Sequence, residues 1–146
     1  MPHVLTIATL FLTLSVAAAP AAGAEVARIK SATGTVHVER GGERIPATVG
    51  AGLRPADTIV TGADGRVGLT FVDDTRMSAG PGSTLVLNRY DFDRKTHAGV
   101  LDATLRRGTL AAVSGRLAKH APDAVTVRTP TMLLGVRGTE FLVYAE

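Results

Sequence analysis

The sequence predicts an all-β protein with a single folded domain. Turn signals, mostly Gly, Pro or Asp, recur about every eight to twelve residues, and apolar and polar residues alternate between them. No long stretch after the N-terminal segment keeps the 3.6-residue period of an amphipathic helix. Hydrophobic residues make up 45% of the 146 residues but aromatic residues only 4%. We therefore expect a core of Val, Leu, Ile and Ala.

The N-terminal segment, residues 1–24, has the features of a secretory signal peptide. It contains no Asp, Glu, Lys or Arg, it is apolar from Val4 to Val16, and Ala22 and Ala24 form an A-x-A-like cleavage pattern. We expect cleavage before Glu25, which leaves residues 25–146 as the β domain, in the periplasm or secreted. Stable membrane insertion is then not expected, and an uncleaved anchor helix is the alternative.

Short strands are predicted through the first half of the domain. Thr35 to Glu39 alternates strictly, and Gly41-Gly42 behind it suits a two-residue hairpin turn, with Val36 and Val38 facing the core. Asp64-Gly65 and Asp73-Asp74 are turn signals. The remaining strands predicted here are Thr58 to Thr61, Arg66 to Phe71, Arg76 to Ser78 and Thr84 to Leu87.

The second half begins with a polar loop predicted from Asp91 to His97. A strand from Leu101 to Leu105, a turn at Arg107-Gly108 and a returning strand from Thr109 to Val113 should follow. One helical turn is expected between Ser114 and Asp123, ended by Pro122. Ala124 to Arg128 then leads into the C-terminal stretch.

Two apolar runs lie near the C-terminus, Met132 to Val136 and Phe141 to Tyr144, on either side of a polar, glycine-containing centre. Runs of this length bounded by Gly and Pro favour buried strands over helix. We therefore predict strand, tight turn or bulge, and strand.

This stretch resembles the FecR domain family. The resemblance rests on three blocks that match in order across residues 34–143. They are Gly65 to Thr75 with its Phe71-x-Asp73-x-Thr75 ending, Pro81-x-Ser83-x-Leu85-x-Leu87, and Thr129-Pro130-Thr131 through Gly135-Val136-Arg137-Gly138-Thr139-Glu140-Phe141. The family supplies the periplasmic part of regulators that relay a signal from an outer-membrane transporter to an anti-sigma factor, and it occurs in other envelope proteins. The resemblance implies a β-solenoid-like body of stacked strands, and the strand pattern alone leaves a β-sandwich as the alternative.

Six residues of the last block are the candidate site. They are Gly135, Arg137, Gly138, Thr139, Glu140 and Phe141. One hypothesis is structural, with Arg137 and Glu140 tying the turn to neighbouring strands by charge-assisted hydrogen bonds. The other is that they present a contact surface to a partner.

The sequence offers little support for catalysis, cofactors or metal ions. It has no cysteine, no G-x-S-x-G and no phosphate-binding loop. His37, His97 and His120 are isolated in sequence, and Asp91-x-Asp93 lacks the rest of a calcium loop. The net charge is only +3, and Arg106-Arg107 has no aromatic neighbours, so nucleic acid is not an expected partner.

We therefore expect an exported, non-enzymatic interaction module in envelope sensing, regulation or assembly, with an envelope or outer-membrane protein as partner. Since the signal peptide directly precedes the domain, no cytoplasmic anti-sigma region is expected. The final strand could lie at a sheet edge and support a homodimer. The alternative function is binding of an anionic glycan, lipid or iron chelate by Arg and Lys side chains.

Overall fold

The structure is a computed structural model that describes residues 24–136 and 140–146. In this part of the chain it has twelve β-strands, one short α-helix and one 3₁₀-helix. The strands are β1 (Ala27–Thr33), β2 (Val36–Arg40), β3 (Glu43–Pro46), β4 (Gly52–Leu53), β5 (Thr58–Thr61), β6 (Arg66–Phe71), β7 (Arg76–Ala79), β8 (Thr84–Phe92), β9 (Gly99–Val113), β10 (Val125–Arg128), β11 (Leu133–Gly135) and β12 (Glu140–Ala145). The helix α1 spans Arg116–His120, and the 3₁₀-helix spans Pro122–Ala124. The predicted all-β class is confirmed.

The strands form one twelve-stranded sheet, which curls into a half-barrel. Nine strands follow the order β3-β2-β5-β8-β9-β7-β6-β1-β4. β10 and β12 also pair with β9, and β11 pairs with β10. The pairing of β10 with β9 is parallel, whereas the other pairings among the described strands are antiparallel. β9 is therefore the strand on which the two parts of the sheet meet.

β9 is one continuous strand of 15 residues. The prediction of two strands, Leu101 to Leu105 and Thr109 to Val113, with a turn at Arg107-Gly108 between them is wrong. Gly108 does adopt a positive φ of 96°, but the chain bends there and continues in the same strand. The pattern of glycine between two alternating segments is the same for a turn and for a bend, so the sequence did not distinguish them.

Gly108 lies where β9 exchanges one neighbour for another. Residues 99–107 pair with β8, whereas residues 110–113 pair with β7. A Cβ atom at position 108 would overlap Ser83, and a positive φ is open to glycine at little steric cost. Strands that pass from one sheet to another do so at bends of this kind.

The core is aliphatic, as predicted. Strand residues alternate between buried and exposed positions, as in β6, where Val67, Leu69 and Phe71 are buried. Among the described residues Phe71 is the one aromatic side chain of the buried core. The largest fully buried side chains are Ile29, Leu53, Ile59, Met77, Leu85, Leu87, Leu101, Leu105, Leu110, Leu117, Val125 and Val127.

The hairpin predicted at Gly41-Gly42 is confirmed. Both glycines have positive φ, 56° and 82°, and they connect β2 to β3 with Arg40 opposite Glu43. Val38 is buried beneath this hairpin. The turn at Asp64 and the helical turn at α1 also lie where the sequence predicted them.

The two C-terminal apolar runs form strands, but the prediction that both are buried is wrong. Leu133 of β11 is 62% exposed and Leu142 of β12 is 71% exposed. Each strand lies at a rim of the sheet. Val143 of β12 and Val136, which follows β11, are buried, whereas Gly135, Leu142 and Tyr144 beside them are exposed.

Candidate functional site

The buried carboxylate of Asp73 is the centre of a hydrogen-bond network between the β6–β7 turn and α1. Asp73 is fully buried, and its Oδ2 accepts hydrogen bonds from Thr75 Oγ1 at 2.6 Å and from the Leu117 amide at 3.1 Å. Its Oδ1 accepts one from Tyr90 Oη at 2.9 Å. A buried carboxylate with this many donors is satisfied, so Asp73 holds elements together and is not a reactive group.

Tyr90 on β8 completes this network. Its hydroxyl donates to the Asp73 carboxylate and also accepts from the Asp73 amide at 3.0 Å. Its ring packs against Phe71, with the centroids 5.3 Å apart. Burial, together with the negative charge of Asp73, raises the pKa of Tyr90 well above its usual range. The phenol therefore stays neutral and acts as a donor at physiological pH.

Arg116 attaches the first turn of α1 to the sheet. Its Nη2 donates to the Val72 carbonyl at 2.9 Å and forms an ion pair with Asp74 at 3.3 Å. The guanidinium also lies 5.2 Å from the centre of the Phe92 ring, within the range of a cation–π contact. Arg116 and the neighbouring Leu117 amide thus both attach α1 to the β6–β7 turn.

Ser83, from the second block of the resemblance, stabilises the bend in β9. Its amide donates to Thr61 Oγ1 at 2.8 Å, and its hydroxyl accepts from the Thr109 amide at 3.0 Å. Ser83 is 1% exposed. Its hydroxyl is therefore a structural bridge between the β7–β8 turn and β9.

A second buried carboxylate, that of Asp57, was not singled out by the sequence analysis. Arg40 binds it through Nε at 2.8 Å and Nη2 at 2.7 Å, and the Arg54 amide donates to it at 2.8 Å. The hydrogen bond to Asp57 raises the pKa of Arg40 further above its usual value. The partners are 17 residues apart, so no local motif marked them.

Three of the six candidate site residues lie outside the described residues. They are Arg137, Gly138 and Thr139, and the hypotheses about the Arg137 to Glu140 pair stay predictions. Gly135 ends β11, is exposed, and has no atom within 4 Å of where a Cβ would stand. It is thus free of the steric constraint found at Gly108.

Glu140 and Phe141 begin β12. Glu140 is exposed and lies opposite Val113 of β9. Phe141 is half-buried and packs against the core. Glu140 therefore faces solvent, whereas Phe141 anchors the strand.

β12 is a rim strand with an apolar outer surface. Among the described strands it pairs with β9 alone, which leaves its other edge without a strand neighbour. Leu142 and Tyr144 point away from the core and are 71% and 65% exposed. A shallow groove of about 700 Å³ runs beside Leu142, lined among others by Arg76, Ser78 and Ala111.

The histidines are less isolated than their sequence positions suggest. The imidazole rings of His97 and His120 lie 6.5 Å apart, centroid to centroid, and His97 stacks on Phe92 at 5.8 Å. His37 lies elsewhere and contacts Glu39 at 3.2 Å. The sequence did not predict the His97–His120 pair, because its members are 23 positions apart with the whole of β9 between them, and no spacing rule reports such a contact.

The described residues contain no group of three or more His, Cys, Asp or Glu side chains arranged to hold a metal ion. In the same residues no helix has the length and apolar character to cross a membrane.

These features define a β scaffold with two buried, hydrogen-bonded carboxylates and a rim strand that, among the described strands, is paired along one edge only and exposes apolar side chains. A protein-family model described as FecR protein matches residues 57–146, and the chain belongs to that family. No curated protein and no solved structure matches the chain. The family indicates a sensing or regulatory role.

Proposed function

We propose that this chain is an exported, non-catalytic protein-interaction module of envelope sensing, regulation or assembly, and that it binds an extended segment of an envelope protein along β12. The observation that carries the proposal is the rim position of β12 with Leu142 and Tyr144 exposed. The family supports a regulatory role, and residues 1–24 support export.

The free edge of β12 supplies the backbone half of such a contact. An edge strand presents a row of amide and carbonyl groups that another strand can pair with. In strand addition these main-chain hydrogen bonds give affinity, and alternate side chains give specificity. On β12 the alternate outward side chains are Glu140, Leu142 and Tyr144.

The strand is held in place before any partner arrives. Val143 is buried and Phe141 packs against the core, while six residues of β12 pair in register with β9 from Glu140 to Ala145. An edge that is already ordered adds less entropic cost to association than a loop that must fold on binding.

In one register, charge disfavours a second copy of this chain as the partner of β12. An antiparallel second copy that placed Leu142 opposite Tyr144 would also place Glu140 opposite Glu146 at both ends. Like charges directly opposite each other destabilise a strand pair. The better fit is an extended segment with apolar residues at alternate positions and Lys or Arg at its ends. A homodimer through β12 is an outcome that the test below distinguishes.

The test is affinity capture of envelope proteins on the immobilised chain, at low and at high salt, with Leu142→Lys beside the wild type. Val49→Lys is the matched control, because Val49 is 61% exposed and is not part of β12. We expect one stoichiometric envelope protein that survives high salt, is retained by Val49→Lys and is lost with Leu142→Lys.

Three results would contradict the proposal. Equal capture by both variants would remove β12 as the contact, and capture of the chain itself would establish the homodimer. Absence of any protein, with salt-sensitive binding to purified envelope polymers, would favour the anionic glycan, lipid or iron-chelate alternative. Arg137→Ala in the same assay tests the remaining hypothesis, since a folded variant without binding would make Arg137 a contact residue.

A further inference from the structure

Two histidines that are far apart in sequence meet at the end of the β8–β9 hairpin. His97 lies in the loop of this hairpin, and His120 is the last residue of α1. Their rings are almost perpendicular, at 83°, with centroids 6.5 Å apart. Imidazole nitrogen is a strong ligand for divalent ions of the zinc type, so a pair brought together by the fold is a candidate ligand set.

His97 is held in its position by an unusual backbone conformation. It has a φ of 61°, in a region that few residues other than glycine adopt, although His, Asn and Asp are enriched among them. Its amide donates to the Asp93 carbonyl at 2.8 Å, which closes the hairpin loop. The Asp93 carboxylate accepts from the amides of Lys95 and Thr96, so this acid stabilises the loop itself.

One face of the His97 ring packs against the protein. It stacks on Phe92 at an interplanar angle of 25°, and the guanidinium of Arg116 lies over the same Phe92 ring. On the other side α1 is attached through the Leu117 amide to the buried Asp73 carboxylate. Both histidines therefore stand on elements whose positions the rest of the fold determines.

The separation suits a shared metal ion after a small side-chain adjustment. With Zn–N bonds of about 2.0–2.1 Å, a zinc ion lies about 3.2 Å from each ring centroid, and tetrahedral geometry puts the two centroids about 5 Å apart. His120 is exposed, so its side chain can rotate toward His97 to close the difference.

We propose that His97 and His120 form a surface site for a borderline divalent cation of the zinc class. The two imidazoles supply the protein ligands, and water completes the coordination, because no cluster of three or more ligand side chains exists among the described residues. The bound ion cross-links the β8–β9 hairpin to α1, and thereby to the connection that leads into β10. This site is separate from β12 and does not depend on the partner proposed there.

Charged groups on two elements lie close to the site. Arg116 on α1 opposes the added positive charge, although it is already engaged with Asp74 and the Val72 carbonyl, whereas the Asp93 carboxylate interacts favourably with a positive charge at His97. With two protein ligands, we expect a reversibly occupied site and not a permanently occupied structural centre.

The test is a calorimetric titration of the full chain with zinc chloride at neutral pH, together with NMR of the imidazole protons. His97→Asn and His120→Asn each remove one ligand, and Asn is suited to the positive φ at position 97. His37→Asn is the matched control, because His37 lies on β2 and contacts Glu39. Magnesium chloride is the control for a hard cation.

We expect one zinc ion per chain, shifts confined to the His97 and His120 rings, and affinity lowered at least about tenfold by either ligand substitution. His37→Asn should bind zinc as the wild type does, and magnesium should not bind. The proposal is overturned if both ligand variants retain wild-type affinity, if His37→Asn lowers the affinity equally, or if zinc does not bind.

Discussion

The Asp73 network buries a polar side chain, whereas the β12 rim exposes apolar side chains. Around Asp73 a charged group is buried, and each carboxylate oxygen has hydrogen-bond donors from other elements. Along β12 apolar side chains are exposed, and one backbone edge has no strand neighbour among the described residues. The first arrangement stabilises the fold, whereas the second leaves apolar side chains in contact with solvent.

This difference divides the blocks that carry the resemblance. The Phe71-x-Asp73-x-Thr75 block and Ser83 bury their polar atoms in bonds within the chain. The last block ends in a strand that faces solvent with half of its side chains. The first two blocks therefore contribute to stability, and the last block carries the strand along which we propose that a partner binds.

The largest loss of stability is expected for Asp73→Ala. It leaves Thr75 Oγ1, Tyr90 Oη and the Leu117 amide without their acceptor inside the protein, so we expect the free energy of unfolding to fall by about 3–5 kcal/mol. Urea denaturation measures it. Asp74→Asn is the control, because the Asp74 side chain is 75% exposed and Asn suits its positive φ of 68°, so the loss should be less than about 1 kcal/mol. Similar losses for both variants would remove the special role of Asp73.

Gly108→Ala tests the bend that the Ser83 bridge stabilises. A side chain there is strained at a φ of 96° and overlaps Ser83, so we expect a loss of about 3 kcal/mol in the same assay. Gly135→Ala should change stability by less than about 0.5 kcal/mol, since its Cβ would meet nothing within 4 Å. An unchanged Gly108→Ala variant would mean that β9 tolerates the side chain by moving away from Ser83.

Tyr90→Phe isolates one donor of the network and its pH dependence. We expect a loss of about 1–2 kcal/mol at neutral pH, because the Asp73 carboxylate loses a hydrogen bond. Since the pKa of Tyr90 is raised in the folded state, its contribution is present below about pH 10 and is lost as the pH rises through the folded value. Between pH 8 and about 11, the free energy of unfolding should therefore decrease less with rising pH in Tyr90→Phe than in the wild type.

Leu142→Lys tests the exposed face of β12. Leu142 is 71% exposed, so we expect less than about 0.5 kcal/mol of lost stability although partner capture is lost. Val143→Lys on the same strand should cost more than about 3 kcal/mol, because that position is buried. If thermal unfolding showed equal losses for the two variants, β12 would be packed on both faces.

Local patterns predicted the elements whose determinants are close in sequence. The bounds of β5 and β6, the Gly41-Gly42 hairpin and the end of α1 near Pro122 all follow from alternation and turn residues. The continuous β9 did not, because whether Gly108 turns or bends the chain depends on Ser83, 25 residues away. The Arg40–Asp57 pair and the His97–His120 pair escaped prediction for the same reason, since tertiary contacts created them.

The candidate site was predicted only in part. The sequence indicated that β12 would be a strand close to a sheet edge, but it did not show which face the core would cover. Burial of Val143 and exposure of Leu142 depend on the register with β9, where Leu142 lies opposite Ala111. A shift of one residue would exchange the two faces, so exposure follows from register and not from composition.

The long β9 strand also has a consequence for how the chain folds. The strands that pair with it come before it in the sequence, β7 and β8, and after it, β10 and β12. Neither part of the sheet is therefore complete until residues 99–113 are in place. Folding should therefore be a single cooperative transition with a rate slowed by distant pairings. During synthesis, β1 to β8 emerge first and must wait for their central neighbour, which is a period of exposure to aggregation.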